Sequence, residues 1–227
     1  MHGRRNIHGL LTALAFALML SAMGPACASS PKGDSLATVR GILAQPETAL
    51  DLASAKVTID RVIDPSTDGA QVLRQIDELS GRIRDRLQPG ASRRGKLEIL
   101  VNSLTQPGPW NDYRPFRYDL DDPFGKNIRN KLLATYLVTR KGNCVSMPVL
   151  FAILAQKIGL DATLSTAPLH VFVRVRMDDG EWLNVEATSF GSKSDSGYKT
   201  DFHITPRAIE SGIYLRTLSR RQSAGVI

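Results

Sequence analysis

The stretch that most constrains this chain is CVSMPVLFAILAQKIGL, residues 144–160, which is almost wholly apolar on every helical face. A helix with one apolar stripe can lie on a surface; one that is apolar all round must be enclosed by the rest of the chain. The residues on either side show what encloses it. Upstream, Val72, Ile76, Leu79, Ile83 and Leu87 recur at spacings of three and four, the mark of an amphipathic helix over 68–87. Leu97, Leu100, Val101 and Leu104 mark a second over 94–104, and Ile128, Leu132, Leu133, Tyr136 and Leu137 a third over 127–139. Pro46 opens a further helical stretch that runs to Ile63 and is broken at Asp64-Pro65-Ser66. The stretch 105–125, rich in Pro, Asp and aromatics, is a loop able to form one wall of a cleft.

Downstream the period changes from 3.6 to two. LHVFVRVRM (169–177) and EWLNVEA (181–187) alternate as strands around the turn Asp178-Asp179-Gly180, and residues 161–166 form a shorter strand before them. Residues 189–200 are polar and read as loop, and Thr205-Pro206 starts a short helix. The chain is therefore α+β: a helical N-terminal half, a buried central helix starting at Cys144, and an antiparallel sheet packed on it.

The N-terminus carries a different signal. Arg4 and Arg5 precede the apolar run 10–20, and Ala26-Cys27-Ala28 supplies a small-residue cleavage site. The run is too short for a bilayer core of about 30 Å. Residues 1–28 are thus expected as a signal peptide, which places the mature chain in the periplasm or outside the cell, with no stable membrane span. Lipid anchoring through Cys27 is the lesser alternative, because Gly24 and Pro25 make a poor lipidation signal. The expected organisation is a flexible leader over 29–45, one domain over 46–220 and a frayed tail over 221–227.

Cleavage after Ala28 leaves Cys144 as the one cysteine and His170 and His203 as the histidines. One Cys and two distant His fall short of a zinc site, so no metal and no cofactor is expected. Loss of Arg4 and Arg5 takes the net charge from +7 to +5. The basic runs, such as Arg82, Arg84, Arg86, Arg93 and Arg94, have no interleaved aromatics for base stacking. They read as solvated helix faces, and nucleic acid is not an expected partner.

The residues that carry chemistry are Cys144, His170 and Glu186. A Cys at a helix start meets unpaired N–H groups that favour a thiolate, and Gly142 just before it permits a tight backbone approach. A nucleophile of this kind needs a base and a group to orient that base. With a three-residue loop, paired positions on the two strands sum to 358, so Phe172 faces Glu186 and His170 becomes its diagonal neighbour on the same sheet face. A two-residue loop would separate them onto opposite faces. Each residue also has a plain structural reading: Cys144 as a small core side chain, His170 as a strand-end residue, Glu186 as a surface carboxylate. Asn127, Asn130 and Asn143 each qualify as an oxyanion donor beside the Cys144 N–H.

KGNCVSMPVLFAILAQKIGLDA, HVFVRV and WLNVEAT together resemble the core of the transglutaminase-like superfamily. ALDLASAKVTIDRVID and QIDELSGRIRDRL extend the likeness to its SirB1-like group, over residues 45–220 or so. The resemblance implies a papain-like cysteine fold with Cys144, His170 and Glu186 as triad, acting on a peptide or protein amide through a thioester. Two points stand out: the acid is Glu186 where most members have Asp, and many SirB1-like chains lack the Cys altogether, so that the group includes inactive members, whereas this chain keeps all three groups. A catalytically silent binding or scaffold module with the same fold is therefore the alternative.

Overall fold

The computed structural model describes residues 31–227, with side chains from Ser35 onward. The expected signal peptide and Cys27 lie outside the described residues. Six helices come first: α1 (Pro31–Leu43), α2 (Leu52–Ile63), α3 (Gly69–Arg84), α4 (Arg93–Thr105), α5 (Leu133–Thr139) and α6 (Ser146–Lys157). Two short strands, β1 (Arg117–Tyr118) and β2 (Lys141–Gly142), pair in parallel among them. A four-stranded sheet then runs in the order β3 (Ala162–Ala167), β4 (His170–Arg176), β5 (Trp182–Glu186), β6 (Gly191–Ser192), every neighbouring pair antiparallel. Three short helices close the chain: α7 (Asp195–Asp201), α8 (Pro206–Glu210) and α9 (Arg220–Gly225).

Local chemistry sets the helix starts. Asp51, Asp68 and Ser92 each accept a hydrogen bond from the backbone N–H three residues on, capping α2, α3 and α4. The cap at Asp51 explains why α2 begins there, although Pro46 is the stronger start signal in the sequence. The stripe Val72, Ile76, Leu79 and Ile83 is buried on α3, as its spacing requires. The helix expected over 127–139 is split, with a 3-10 turn at Ile128–Lys131 before α5. The Leu133 N–H at the start of α5 donates to Asp60 Oδ2, which is buried beside Lys56 on α2.

α6 sits at the centre, with every residue from Ser146 to Ala155 buried. The α3, α4 and α5 stripes surround it on one side, and Val173, Val175, Met177 and Val185 of the sheet on the other. Contacts of this kind are the main stabilising term; truncating a fully buried leucine such as Leu150 to Ala costs about 2–5 kcal/mol. The opposite sheet face carries a second cluster, where Ala167 and Phe172 meet Tyr198, Ile204 and Leu215.

Both ends depart from expectation. The stretch 29–45, expected as a flexible leader, holds α1, and the tail expected to fray over 221–227 holds most of α9. Ile42 of α1 and Ala224 of α9 are buried together with Leu50 and Ala55. The Arg220 guanidinium donates to the Thr48 and Leu50 carbonyls, and the Arg221 N–H to the Glu47 carboxylate. Neither segment has an apolar stripe long enough to announce a helix; each packs on α2 as well as on the other. No helix among the described residues is long and apolar enough to cross a membrane.

The β4–β5 hairpin has the expected register. Val173 faces Val185, Arg174 faces Asn184, Val175 faces Leu183 and Arg176 faces Trp182, every pair summing to 358. Met177 N–H donates to Glu181 O and Gly180 N–H to Met177 O, closing a loop of three residues. Gly180 has φ +88°, the left-handed conformation that such a loop needs and that side chains with a Cβ resist.

Candidate active site

Cys144 lies in the turn that leads into α6. Regular helix starts at Ser146, two residues later than expected, but the hydrogen bonding begins at Asn143. Its carbonyl accepts from Met147 N–H at 3.1 Å, and its Oδ1 accepts from Val145 N–H at 2.9 Å and Ser146 N–H at 3.1 Å. Asn143 therefore acts as the cap and Cys144 as the first residue inside it, with its N–H among those a helix leaves without an internal partner. Gly142 makes the approach possible: a Cβ there would lie 2.6 Å from Tyr136 Cε2 and 2.7 Å from Met147 Cγ. Tyr136 cannot yield, being fully buried and edge-on to Phe116 at 5.2 Å.

His170 is the first residue of β4 and Glu186 the last of β5. His170 Nε2 lies 2.7 Å from Glu186 Oε2, and the two side chains are 12% and 14% exposed. The other ring nitrogen is not engaged by Glu186, and Cys144 is among the groups that raise the His170 imidazole. The pair shares a sheet face, as the parity of the hairpin requires. That face is the one carrying Phe172 and Tyr198, not the one covered by α6; Cys144 meets His170 at the very start of the strand.

The Glu186 carboxylate is saturated with donors. Oε2 also accepts from the Tyr198 hydroxyl at 2.9 Å, while Oε1 accepts from Thr188 Oγ1 at 2.6 Å and Thr188 N–H at 3.2 Å. Burial raises the proton affinity of Glu186, but these donors and the His170 charge outweigh it and hold the carboxyl below its ordinary range. Burial likewise opposes a charge on His170. The hydrogen bonds to Cys144 and Glu186, with the charge each carries when ionised, overcome it and lift the imidazole from 6.5 to about 9. The arrangement therefore favours an imidazolium beside the Glu186 carboxylate.

Of the three asparagines weighed as oxyanion donors, Asn130 has its amide nitrogen committed to Asp119 and Asp122, and Asn127 has its side-chain oxygen held in the cap of the 3-10 turn by Arg129 N–H. Asn143 Nδ2 has no partner but is enclosed, 3.0 Å from where a Cβ on Gly125 would stand. The Cys144 N–H, which the helix leaves without an internal partner, is a further candidate donor. His203 is exposed at the C-terminal end of α7 and takes no part in the site.

Sequence reasoning missed several neighbours. Tyr118 lies in the stretch expected as loop; burial first, then the neighbours Cys144, Asp122, Asp119 and Glu186, raise its phenol. Parallel pairing of β1 with β2 brings it there, followed by Asp119 N–H donating to Gly142 O. Tyr198 belongs to α7, inside the stretch expected as loop. The Ser194-Asp195 start was the legible signal, and Ser194 does cap the helix through Gly197 N–H. Leu169, beside His170, is fully exposed at φ +56°, on a two-residue turn with Pro168.

No curated protein matches the chain. A solved structure described as "Crystal structure of a TGase" is similar at 16% identity with a TM-score of 0.42, over 64% of this chain and 40% of its own. The chain thus spans less than half the length of that protein. The model of the transglutaminase-like superfamily matches residues 70–197, more than half of the chain and a range that includes Cys144, His170 and Glu186. On the strength of that match, the chain belongs to the transglutaminase-like superfamily.

Proposed function

We propose that this chain is a cysteine enzyme that cleaves or transfers amide bonds through a thioester on Cys144. The observation that carries the reading is an imidazole held by a saturated carboxylate, with the Cys144 thiol at the entry to a buried helix among the groups that raise it. The Cys144 thiolate attacks the amide carbonyl carbon, forming the C–S bond and an oxyanion that the Cys144 N–H stabilises. His170 gives its Nδ1 proton to the departing amine as the C–N bond breaks. Water or a second amine then loses a proton to His170 and attacks the thioester, and the thiolate leaves. Water gives hydrolysis and an amine gives transfer. Glu186 keeps the ring oriented and compensates its charge, without itself accepting the proton.

Iodoacetamide tests this. Cys144 should be alkylated near neutral pH faster than free cysteine, His170→Ala should remove the advantage, and Cys144→Ala serves as blank. Alkylation no faster than free cysteine and indifferent to His170 would leave the silent scaffold as the better account. The SirB1-like likeness and the signal at residues 1–28 support an exported member of the superfamily whose mature chain begins at Ser29 without lipid. Intact mass of the protein from an envelope fraction measures that start, and a lipid-modified Cys27 terminus would refute it.

A further inference from the structure

The family match ends at residue 197, yet the next few residues bring two more aromatic side chains to the site. Asp195, the first residue of α7, is held by Arg174 at 2.6 Å and Asn184 at 2.7 Å, which face each other on β4 and β5. Arg174 Nε in turn donates to Asn184 Oδ1 at 2.9 Å. This polar triangle ties α7 to the sheet face that carries His170 and Glu186. Tyr198 is fully buried and stacks on Phe172, with centroids 4.2 Å apart and planes 20° apart. Its hydroxyl reaches the same Glu186 oxygen that His170 uses. Phe202, at the end of α7, lies nearly parallel to the His170 ring, with centroids 5.5 Å apart and planes 17° apart. Lys193 Nζ sits over both aromatic rings, at 5.1 and 5.3 Å.

We infer that Tyr198 and Phe202 are positioning residues of the site, Tyr198 fixing the Glu186 carboxylate and Phe202 closing the exposed face of the His170 ring. The inference rests on the reading of Cys144, His170 and Glu186 as a triad. Thr188 pins one carboxylate oxygen, and without Tyr198 only the imidazole itself would hold the other. An acceptor that follows the ring cannot keep it still while the ring passes a proton between sulfur and nitrogen. Burial, together with the Glu186 charge, raises the proton affinity of the Tyr198 phenol, so it stays a donor. The Phe202 ring face attracts an imidazolium and keeps water from the ion pair, which strengthens it.

Tyr198→Phe removes the hydroxyl and keeps the ring stack on Phe172, so the fold should persist. Phe202→Leu removes the parallel ring, and Phe202→Tyr restores it. Two readouts are taken on the full chain: the rate of Cys144 alkylation by iodoacetamide against pH, and the His170 Nε2–H resonance in nitrogen-15 spectra. Tyr198→Phe should slow alkylation three- to tenfold at neutral pH and broaden that resonance. Phe202→Leu should slow it similarly and speed solvent exchange of the same proton at least fivefold, with Phe202→Tyr recovering both. Variants within 1.5-fold of wild type and with an unchanged resonance would overturn the inference. So would a rate loss matched by the loss of folded protein, with the remaining His170 signal unaltered. If wild type reacts no faster than free cysteine, the triad reading fails on its own. The Nε2–H signal, which needs no thiol chemistry, would still decide whether Tyr198 and Phe202 hold the His170–Glu186 contact.

Discussion

Replacing Glu186 by Gln keeps the size and shape of the side chain and removes its charge. The carboxylate takes four hydrogen bonds, from His170, Tyr198 and twice from Thr188, and an amide has one oxygen to offer them. His170 stands at about 9 against an ordinary 6.5, a difference of about 3 kcal/mol in favour of the imidazolium at 1.36 kcal/mol per unit. Cys144 and Glu186 share that stabilisation, so losing the Glu186 part should bring the His170 midpoint down by at least about 1 unit. Cys144→Ala should lower it as well, by removing the other partner. Carbon-13 spectra of the imidazole Cε1–H between pH 5 and 10.5 give the midpoint directly. The sign of the stability effect follows from linkage. His170 is raised in the folded state, so its contribution is complete below about 6.5 and is lost as pH rises through about 9. Glu186 is depressed, so its contribution is present above about 4.5 and is lost as pH falls through its lower folded value. These are two views of one ion pair and are not added. Urea unfolding should show Glu186→Gln about 1–3 kcal/mol less stable at pH 6.5, with the gap narrowing above pH 9. A wild-type His170 midpoint near 6.5, or one that Glu186→Gln leaves in place, would refute the reasoning.

Three backbone substitutions follow from the same geometry. Gly180→Ala meets no atom within 4 Å but forces an L-residue to φ +88°, and should cost about 1–2 kcal/mol in urea unfolding with alkylation of Cys144 unchanged. A slowed alkylation there would mean that the hairpin loop does more than set register. Gly142→Ala drives a Cβ into Tyr136 and Met147, and should cost about 1–3 kcal/mol and slow Cys144 alkylation in the protein that remains folded; wild-type rates would show that the Cys144 turn tolerates displacement. Leu169→Gly relieves a left-handed leucine that packs on nothing, so thermal unfolding should show no loss of stability. A loss above about 1 kcal/mol would reveal an unseen packing role for that side chain.

Much of this molecule is written locally. The stripes of α3 and α4 and the unbroken apolar run of α6 need only the helical period to be read, because a residue's face follows from its spacing. Which residues of β4 and β5 share a face was also legible: three turn residues ending in Gly180 set the register, and parity does the rest. Cys144, His170 and Glu186 could be picked out for the same reason, since a helix start and two strands of known register carry them. Other features depend on contacts between segments far apart in the chain. Alternation says that His170 and Glu186 share a face, but not that it is the face turned from α6. α9 is tied to the turn between α1 and α2 across 170 or more residues of chain, through pairs such as Arg221 with Glu47 and Gln45. The choice among Asn127, Asn130 and Asn143 turned on where Asp119, Asp122 and Gly125 fold back. Tyr198 and Phe202 reach the site because Arg174 and Asn184 anchor Asp195. Periodicity records what a segment must bury; only the packed chain decides which partner buries it, because that depends on the shape and hydrogen-bonding groups of segments distant in sequence.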